Sequence, residues 1–294
     1  MTPALPVARR NLLIFFRDPL NVFFSLLGAI ILFVLYALFL GSLQANGVAQ
    51  SVPGVDPGLV QAFVDSWMFA GIVLITTVTT GLGAYSVLVD DRHQGRIRDF
   101  LVAPIRRWQL VVGYLISAAA ISVVMSTLVL IVSVLYLGVL RGAWLDPMAL
   151  LTTFGCMVLS CVAFTALFGF IATFVRTPGA FGGVASIVGS VLGFVAGASL
   201  PVGLLPKTVG DIINALPFAQ AGALIREQFS GAALDRMTAT LPGAAEGLRH
   251  YFGMDVLIGD WIMPPGIAIA VLVVILVVFT ALAAWRLGRR SFGR

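Results

Sequence analysis

The chain has 294 residues, of which 60% are hydrophobic and only 11% carry a charge. Ordinary soluble domains carry roughly 25% charged residues, so the composition excludes a soluble globular protein and indicates an integral membrane protein. The formal net charge is +5. The basic residues lie in short clusters beside apolar runs and form no continuous basic face, which argues against nucleic acid as a partner.

The amino-terminal segment, residues 1–20, mixes three arginines with a run of Leu, Ile and Phe and then reaches Asp18 and Pro19. This mixture predicts a short helix lying in the membrane interface. The apolar run that follows, 22–43, is longer than the roughly 7 to 15 residues of a signal-peptide core. We therefore expect an uncleaved first span.

Further apolar runs predict five more transmembrane helices, and hence an all-α polytopic membrane protein with six spans. The loop between the first two spans is predicted outside, over 44–64. Residues 201–261 are the longest polar connection, but they contain apolar stretches that Pro206 and Pro217 interrupt. We expect two short re-entrant helices there, in the outer leaflet. The predicted bounds of spans two to six are 67–89, 110–140, 149–175, 181–200 and 262–285.

A charged island, residues 90–109, separates the second and third spans and contains five arginines. With the island, the short turn at Arg176 and both termini on one side, that side holds thirteen basic residues against five on the other. Basic residues accumulate on the cytoplasmic side of a membrane, so we expect a cytoplasmic island and cytoplasmic termini. The arginine-rich inner segments and the absence of a cleaved signal suit a bacterial cytoplasmic membrane.

Catalysis and energy coupling by this chain alone are both disfavoured. A P-loop needs a lysine directly after a glycine, whereas the single lysine, Lys207, follows Pro206. Cys156 and Cys161 stand five apart in an apolar run and are interpreted as buried thiols. The centres of the predicted spans lack the ionisable group that an ion-coupled carrier uses. We expect no catalytic residue, bound cofactor or metal, and a subunit driven by another protein.

Three segments resemble, in order, the characteristic regions of ABC-2 type transporter permeases. The resemblance implies an interfacial amino-terminal helix, a cytoplasmic coupling helix in the island and short re-entrant outer helices. It also implies a dimer with a second permease copy or a paralogue, and a separate ABC ATPase subunit that holds ATP and Mg. The segments are RRNLLIFFRDPL (9–20), DDRHQGRIRDFLVAPIRRWQLVVGY (90–114) and SLPVGLLPKTVGDIINALPFAQ (199–220).

The charged island carries the predicted contact with the ATPase. As a short helix, it places its apolar side chains on one side, where we expect them to enter a groove of the ATPase. Its arginines would pair with acidic residues or with lipid phosphate. The alternative is an anchor lying flat on anionic lipid, which needs no ordered apolar side. The predicted coupling residues are Arg92, Arg96, Ile97, Arg98, Phe100, Leu101, Arg106 and Arg107.

Hydroxyl side chains in the second and third spans form a candidate translocation path between two protomers. The alternative for them is ordinary hydrogen bonding between helices. Because such a path lacks charge, it suits a lipophilic or amphipathic cargo. The candidate residues are Thr76, Thr77, Thr79, Thr80, Ser122 and Ser126.

A ridge of small residues follows one side of the fifth predicted span, at intervals of four. Small residues in line allow another helix to approach closely; the alternative is that the glycines only loosen the helix. The ridge consists of Ala185, Gly189, Gly193 and Gly197.

The sequence thus predicts the permease subunit of an ATP-driven exporter, which moves a drug, an antibiotic or a lipid out across the membrane, as in multidrug efflux. Two alternatives stay open: an exporter of polysaccharide or lipid-linked glycan, which has the same architecture, and a membrane immunity or signalling scaffold that moves no cargo. A membrane enzyme is a third class, disfavoured because no set of carboxylates, histidines or metal ligands is visible.

Overall fold

The computed structural model describes residues 4–97, 107–195, 200–241 and 243–289. Nearly all of this is helical, so the prediction of an all-α polytopic protein is confirmed. A π-helical turn (Tyr36–Leu40) joins α2 to α3, and a short 3₁₀ turn covers Val202–Leu204. One antiparallel pair, β1 (Leu257–Ile258) and β2 (Trp261–Ile262), closes a hairpin. The helices are α1 (Ala4–Arg17), α2 (Pro19–Leu35), α3 (Gly41–Ser51), α4 (Pro57–Gly83), α5 (Ser86–His93), α6 (Arg107–Arg141), α7 (Pro147–Ala172), α8 (Pro178–Val195), α9 (Lys207–Ala215), α10 (Pro217–Thr238), α11 (Ala244–Tyr251) and α12 (Pro265–Arg289).

Within the described ranges, five helical segments are long and apolar enough to cross a membrane. The helices α9 and α10 are bent by 87° at their junction, and they make a sixth if the pair is counted as one broken span. The described part of α8 is a shorter apolar helix. The five long segments are Pro19–Ser51, Pro57–His93, Trp108–Arg141, Pro147–Ala172 and Pro265–Arg286.

Aspartate followed by proline starts three of these segments. Asp18, Asp56 and Asp146 each accept hydrogen bonds from backbone amides of the first turn, at 2.8 to 3.2 Å. In each case a proline occupies the first helical turn, where its missing N–H leaves no bond unmade. Local chemistry therefore sets where α2, α4 and α7 begin.

Helix α4 is the centre of the bundle and packs against α2, α6, α7 and α10. In its most apolar stretch 83% of the residues are buried, against 11% for the first segment and 17% for α12. The last two therefore present most of their apolar surface outward, as expected of helices that face lipid.

The predicted outer loop over 44–64 is wrong, because most of it is helical. Helix α3 extends the first segment to Ser51, and α4 begins at Pro57 rather than at Trp67. The sequence looks polar there, but Ala45, Val48 and Phe63 are buried in the core. Packing on α4 therefore outweighs the weak helix propensity of the glycine- and asparagine-containing stretch.

The region between α8 and α12 also differs in detail from the expected pair of short helices. Helix α9 is short, but α10 has 22 residues, because Pro217 starts a helix whose buried residues include Ala221, Ile225 and Phe229. Helix α8 begins at Pro178, three residues before the predicted start, and residues 196–199 lie outside the described ranges.

Candidate functional site

A buried carboxylate, Asp91, lies at the start of the charged island, near the end of α5. Its side chain is 0% exposed. Arg10 of α1 donates to both of its oxygens, at 2.7 and 2.8 Å. The Tyr114 hydroxyl of α6 donates at 2.5 Å, and Arg96 of the island donates at 3.4 Å. We call these four residues the Asp91 network. A buried charge is tolerated only when it is paired and hydrogen-bonded, so the network fixes α1, the island and α6 relative to one another.

Helix α1 is held on α6 by further polar contacts and by close packing. Asn11 accepts from Arg10 at 3.1 Å and donates to the Ser117 hydroxyl at 3.3 Å. At Gly113 of α6 the two helices approach so closely that a Cβ atom would lie 2.9 Å from the Ala4 carbonyl oxygen. The hydrogen bond to Asp91 raises the pKa of Arg10 above its ordinary value, so this arginine stays charged.

The opposite side of α1 is exposed and amphipathic. Leu13, Ile14 and Phe16 are all more than a third exposed, and Arg9 and Arg17 flank them in the sequence. Apolar side chains next to arginines are typical of a helix at the boundary between headgroups and acyl chains. The interfacial position of this helix stays a prediction, and its exposed amphipathic side is what such a position requires.

Arg92 attaches the beginning of the island to the end of α7. One nitrogen of its guanidinium donates to the carbonyl oxygens of Ala172, Thr173 and Val175, at 3.4, 3.0 and 2.9 Å. The last carbonyls of a helix have no partner within the helix, and a cation is favourable there. About two turns earlier, the buried Tyr85 hydroxyl donates to the Thr165 carbonyl at 2.8 Å. The island is thus connected to α7 as well as to α1 and α6.

Arg92→Ala is expected to lower the free energy of unfolding by about 1.5 to 3 kcal/mol, the usual range for hydrogen bonds that involve a charged group. Thermal unfolding of the purified protein measures this loss. Arg92→Lys keeps the cation at the helix end and should recover part of it. Equal stability of the alanine variant and the parent would contradict the assigned contact.

Three of the eight predicted coupling residues have described side chains, and all three make contacts within the chain. Arg92 binds the end of α7, and Ile97 is 3% exposed in the core. Arg96 is half exposed beside Asp91. Direct contact with an ATPase therefore stays a prediction chiefly for the remaining members. Outside the described side chains lie Arg98, Phe100, Leu101, Arg106 and Arg107.

The hydroxyls proposed for the translocation path lie inside one protomer. Each Thr donates to a backbone carbonyl three or four residues earlier in α4. Ser122 donates across to the Thr77 carbonyl at 2.8 Å, and the thiol of Cys161 lies 3.7 Å from the Ser126 hydroxyl. Five of the six are at most 1% exposed, Thr79 being partly buried. This arrangement favours the alternative interpretation, hydrogen bonding among α4, α6 and α7.

The small-residue ridge lies on an open side of α8. A Cβ added at Gly189 would meet nothing within 4 Å, and Ala185 and Gly193 are partly buried. Gly182 and Gly183 are equally open. The fourth member, Gly197, lies outside the described residues. This side of α8 therefore has room for an approaching helix, and the role of the ridge stays a prediction.

Sequence reasoning missed the buried charges towards both ends of the Pro57–His93 segment. Beyond Asp91 and Arg10, Asp65 near the start of α4 is 3% exposed and binds Arg141 of α6 at 2.7 Å. Arg226 of α10 is 1% exposed, donates to the Gly253 carbonyl at 3.2 Å and lies over the Trp67 ring. A usable signal was present, because a lone acid or arginine among apolar residues must find a partner when buried.

The helices and their buried charges define a multi-pass membrane protein in which the described start of the charged island, residues 90–97, is hydrogen-bonded to the bundle. Across its described residues, no group of His, Cys, Asp and Glu side chains could hold a metal ion. The family model for the ABC-2 type transporter matches residues 6–229. The chain therefore belongs to this family and is the membrane permease subunit of an ABC transporter. No curated protein matches the chain.

Proposed function

We propose that this permease exports a lipophilic or amphipathic small molecule across the cytoplasmic membrane of a bacterium, with both termini in the cytoplasm. A separate ABC ATPase, which holds ATP and Mg, docks on the charged island and supplies the energy. A second permease copy or a paralogue completes the assembly, and lipid surrounds it.

The observation that carries this proposal is the Asp91 network. The described start of the island, residues 90–97, is joined to α4 through α5, to α6 through Tyr114, to α1 through Arg10 and to α7 through Arg92. Protein interiors are close-packed and transmit strain. A displacement of the island by an ATPase is therefore passed to four helices at once, whereas an anchor on lipid needs no such buried connection.

The choice of cargo and of a dimer draws support from different features. Titratable groups are buried towards the two ends of the Pro57–His93 segment, while its middle carries threonines whose hydroxyls are satisfied within the bundle. A bundle of this kind offers little to a polyanion and suits an apolar or amphipathic molecule. The open glycine-lined side of α8 supports close approach of another helix.

Phe100→Asp tests the docking on the island. An acid on the apolar side of the island is costly to bury in a partner groove, so we expect loss of copurified ATPase, of permease-stimulated ATP hydrolysis and of ATP-driven transport. The measurement uses vesicles containing the chain and its ATPase, with a lipophilic cationic dye and a fluorescent phospholipid as transport probes. Phe100→Leu keeps the apolar side chain and is the matched control.

Each outcome has a defined meaning. Normal ATP-driven transport by the Phe100→Asp variant would overturn docking on this surface. If the parent chain binds its ATPase and stimulates ATP hydrolysis but moves neither probe, the result would favour a glycan exporter or a scaffold that moves no cargo.

A further inference from the structure

An apolar cavity of about 600 Å³ opens at the end of α4 opposite Asp91. One wall consists of α3 and the preceding π-helical turn, and the other of α11 together with the Val202–Leu204 turn. Its volume lies within the roughly 300–1,000 Å³ typical of small-ligand sites. Most of its described lining residues are apolar, Gln44 and Ser51 add polar side chains, and none of them carries a charge. The main apolar side chains of the lining are Leu40, Leu43, Val48, Leu204, Leu248 and Tyr251.

Glycines on both walls keep this space open. Gly47 lies in α3 and Gly247 in α11, both line the cavity, and a Cβ added at either would meet nothing within 4 Å. Glycine is less favourable than alanine inside a helix. At these two helical positions the bundle has room for a side chain but the sequence has glycine, and the cavity is wider because of this.

The cavity is continuous with the lipid-facing side of the first span. Leu38, Phe39 and Leu43 are 80%, 64% and 61% exposed, and Leu43 also lines the cavity. Leu40, the last residue of the π-helical turn, lines it too. Single π-helical turns occur frequently at functional sites. A hydrocarbon chain lying along this span can therefore reach the cavity over these exposed apolar side chains.

We propose that the cavity binds one acyl chain of a membrane lipid from the adjacent leaflet. The uncharged lining suits a hydrocarbon and leaves the headgroup outside, at the polar edge of the bilayer. The route along the first span selects a lipid already in the membrane over a solute from water. The bound chain would fill the gap between α3 and α11 and so connect α11 to the first span.

The test uses the full-length protein in phospholipid vesicles that contain a lipid with a photoreactive diazirine in the middle of one acyl chain. After photolysis, peptide mapping by mass spectrometry should find label in residues 40–52 and 244–252. Gly47→Phe and Gly247→Phe each fill the cavity from a different wall and should reduce this labelling at least fivefold. Gly28→Phe in α2, where an added Cβ also meets nothing within 4 Å, should leave it unchanged.

Three results would overturn the proposal. Label confined to lipid-facing positions such as Leu38 and Phe39 would show that the chain stays outside the cavity. Undiminished labelling in both folded filling variants would show the same. Displacement of the lipid label by a lipophilic dye at equal concentration would assign the cavity to cargo. Because the two variants are on different helices, a failure of one to fold leaves the other as the test.

Discussion

Asp91→Ala is expected to lower the free energy of unfolding by about 3 to 5 kcal/mol, the usual cost of removing one partner from a buried ion pair. Arg10, Tyr114 and Arg96 all donate hydrogen bonds to the Asp91 carboxylate, and the variant removes this shared acceptor. We also expect ATP-driven transport to be lost, because the island and α1 are no longer fixed to α6. Chemical unfolding in detergent and the vesicle assay measure the two effects.

Asp90→Ala is the matched control for this change. Asp90 is the preceding residue, is partly buried and forms no ion pair with any described residue. Its removal alters the net charge by the same amount and should change stability by less than about 0.5 kcal/mol. Equal losses in the two variants would contradict the assigned role of Asp91.

Stability and force transmission can be separated at the same pair. The double variant Arg10→Met with Asp91→Leu replaces the two charges by apolar side chains, which is often neutral for stability at buried pairs. We expect this variant to regain much of the stability lost in Asp91→Ala. Transport should recover less, because the directional contacts to Tyr114 and Arg96 are still missing.

The elements that the sequence predicts well are those that depend on local chemistry. Asp18–Pro19 and Asp146–Pro147 mark helix starts through capping, and long apolar runs mark most spans. The prediction of a loop over 44–64 was wrong because apolar residues between its polar ones, such as Val48, are buried against the bundle and stabilise a helix there. Hydropathy averages over a window and does not register which side of a helix is buried.

The candidate site was predicted only in part, for a similar reason. The charged island is evident from its arginines, but the partner of Asp91 is 81 residues away in the chain. No spacing rule connects the two, since they meet only when α1 lies on α6. Likewise, the sequence pattern of the α4 threonines is the same whether they line a translocation path or form hydrogen bonds within the bundle. The structure favours the second, because their hydroxyls are buried and satisfied.

Gly113→Leu is expected to have the second-largest effect, because it acts where α1 lies on α6. Its Cβ alone would lie 2.9 Å from the Ala4 carbonyl oxygen and from the Val7 Cβ. These atoms belong to or adjoin the backbone, so no side-chain rotation relieves the clash and α1 must move. Overpacking of this kind costs typically about 1–3 kcal/mol, and we expect a value near the upper end.

The movement of α1 also carries Arg10 away from Asp91, so transport should fall together with stability in the Gly113→Leu variant. Gly155→Leu in α7 is the matched control, since an added Cβ there meets nothing within 4 Å. It gains helix propensity and should be as stable as the parent or up to about 1 kcal/mol more stable. Chemical unfolding and the vesicle assay compare the two. If Gly113→Leu kept full transport despite a loss of stability, the position of α1 on α6 would matter for folding alone, and the island would have to act on the bundle through Tyr114 and Arg92.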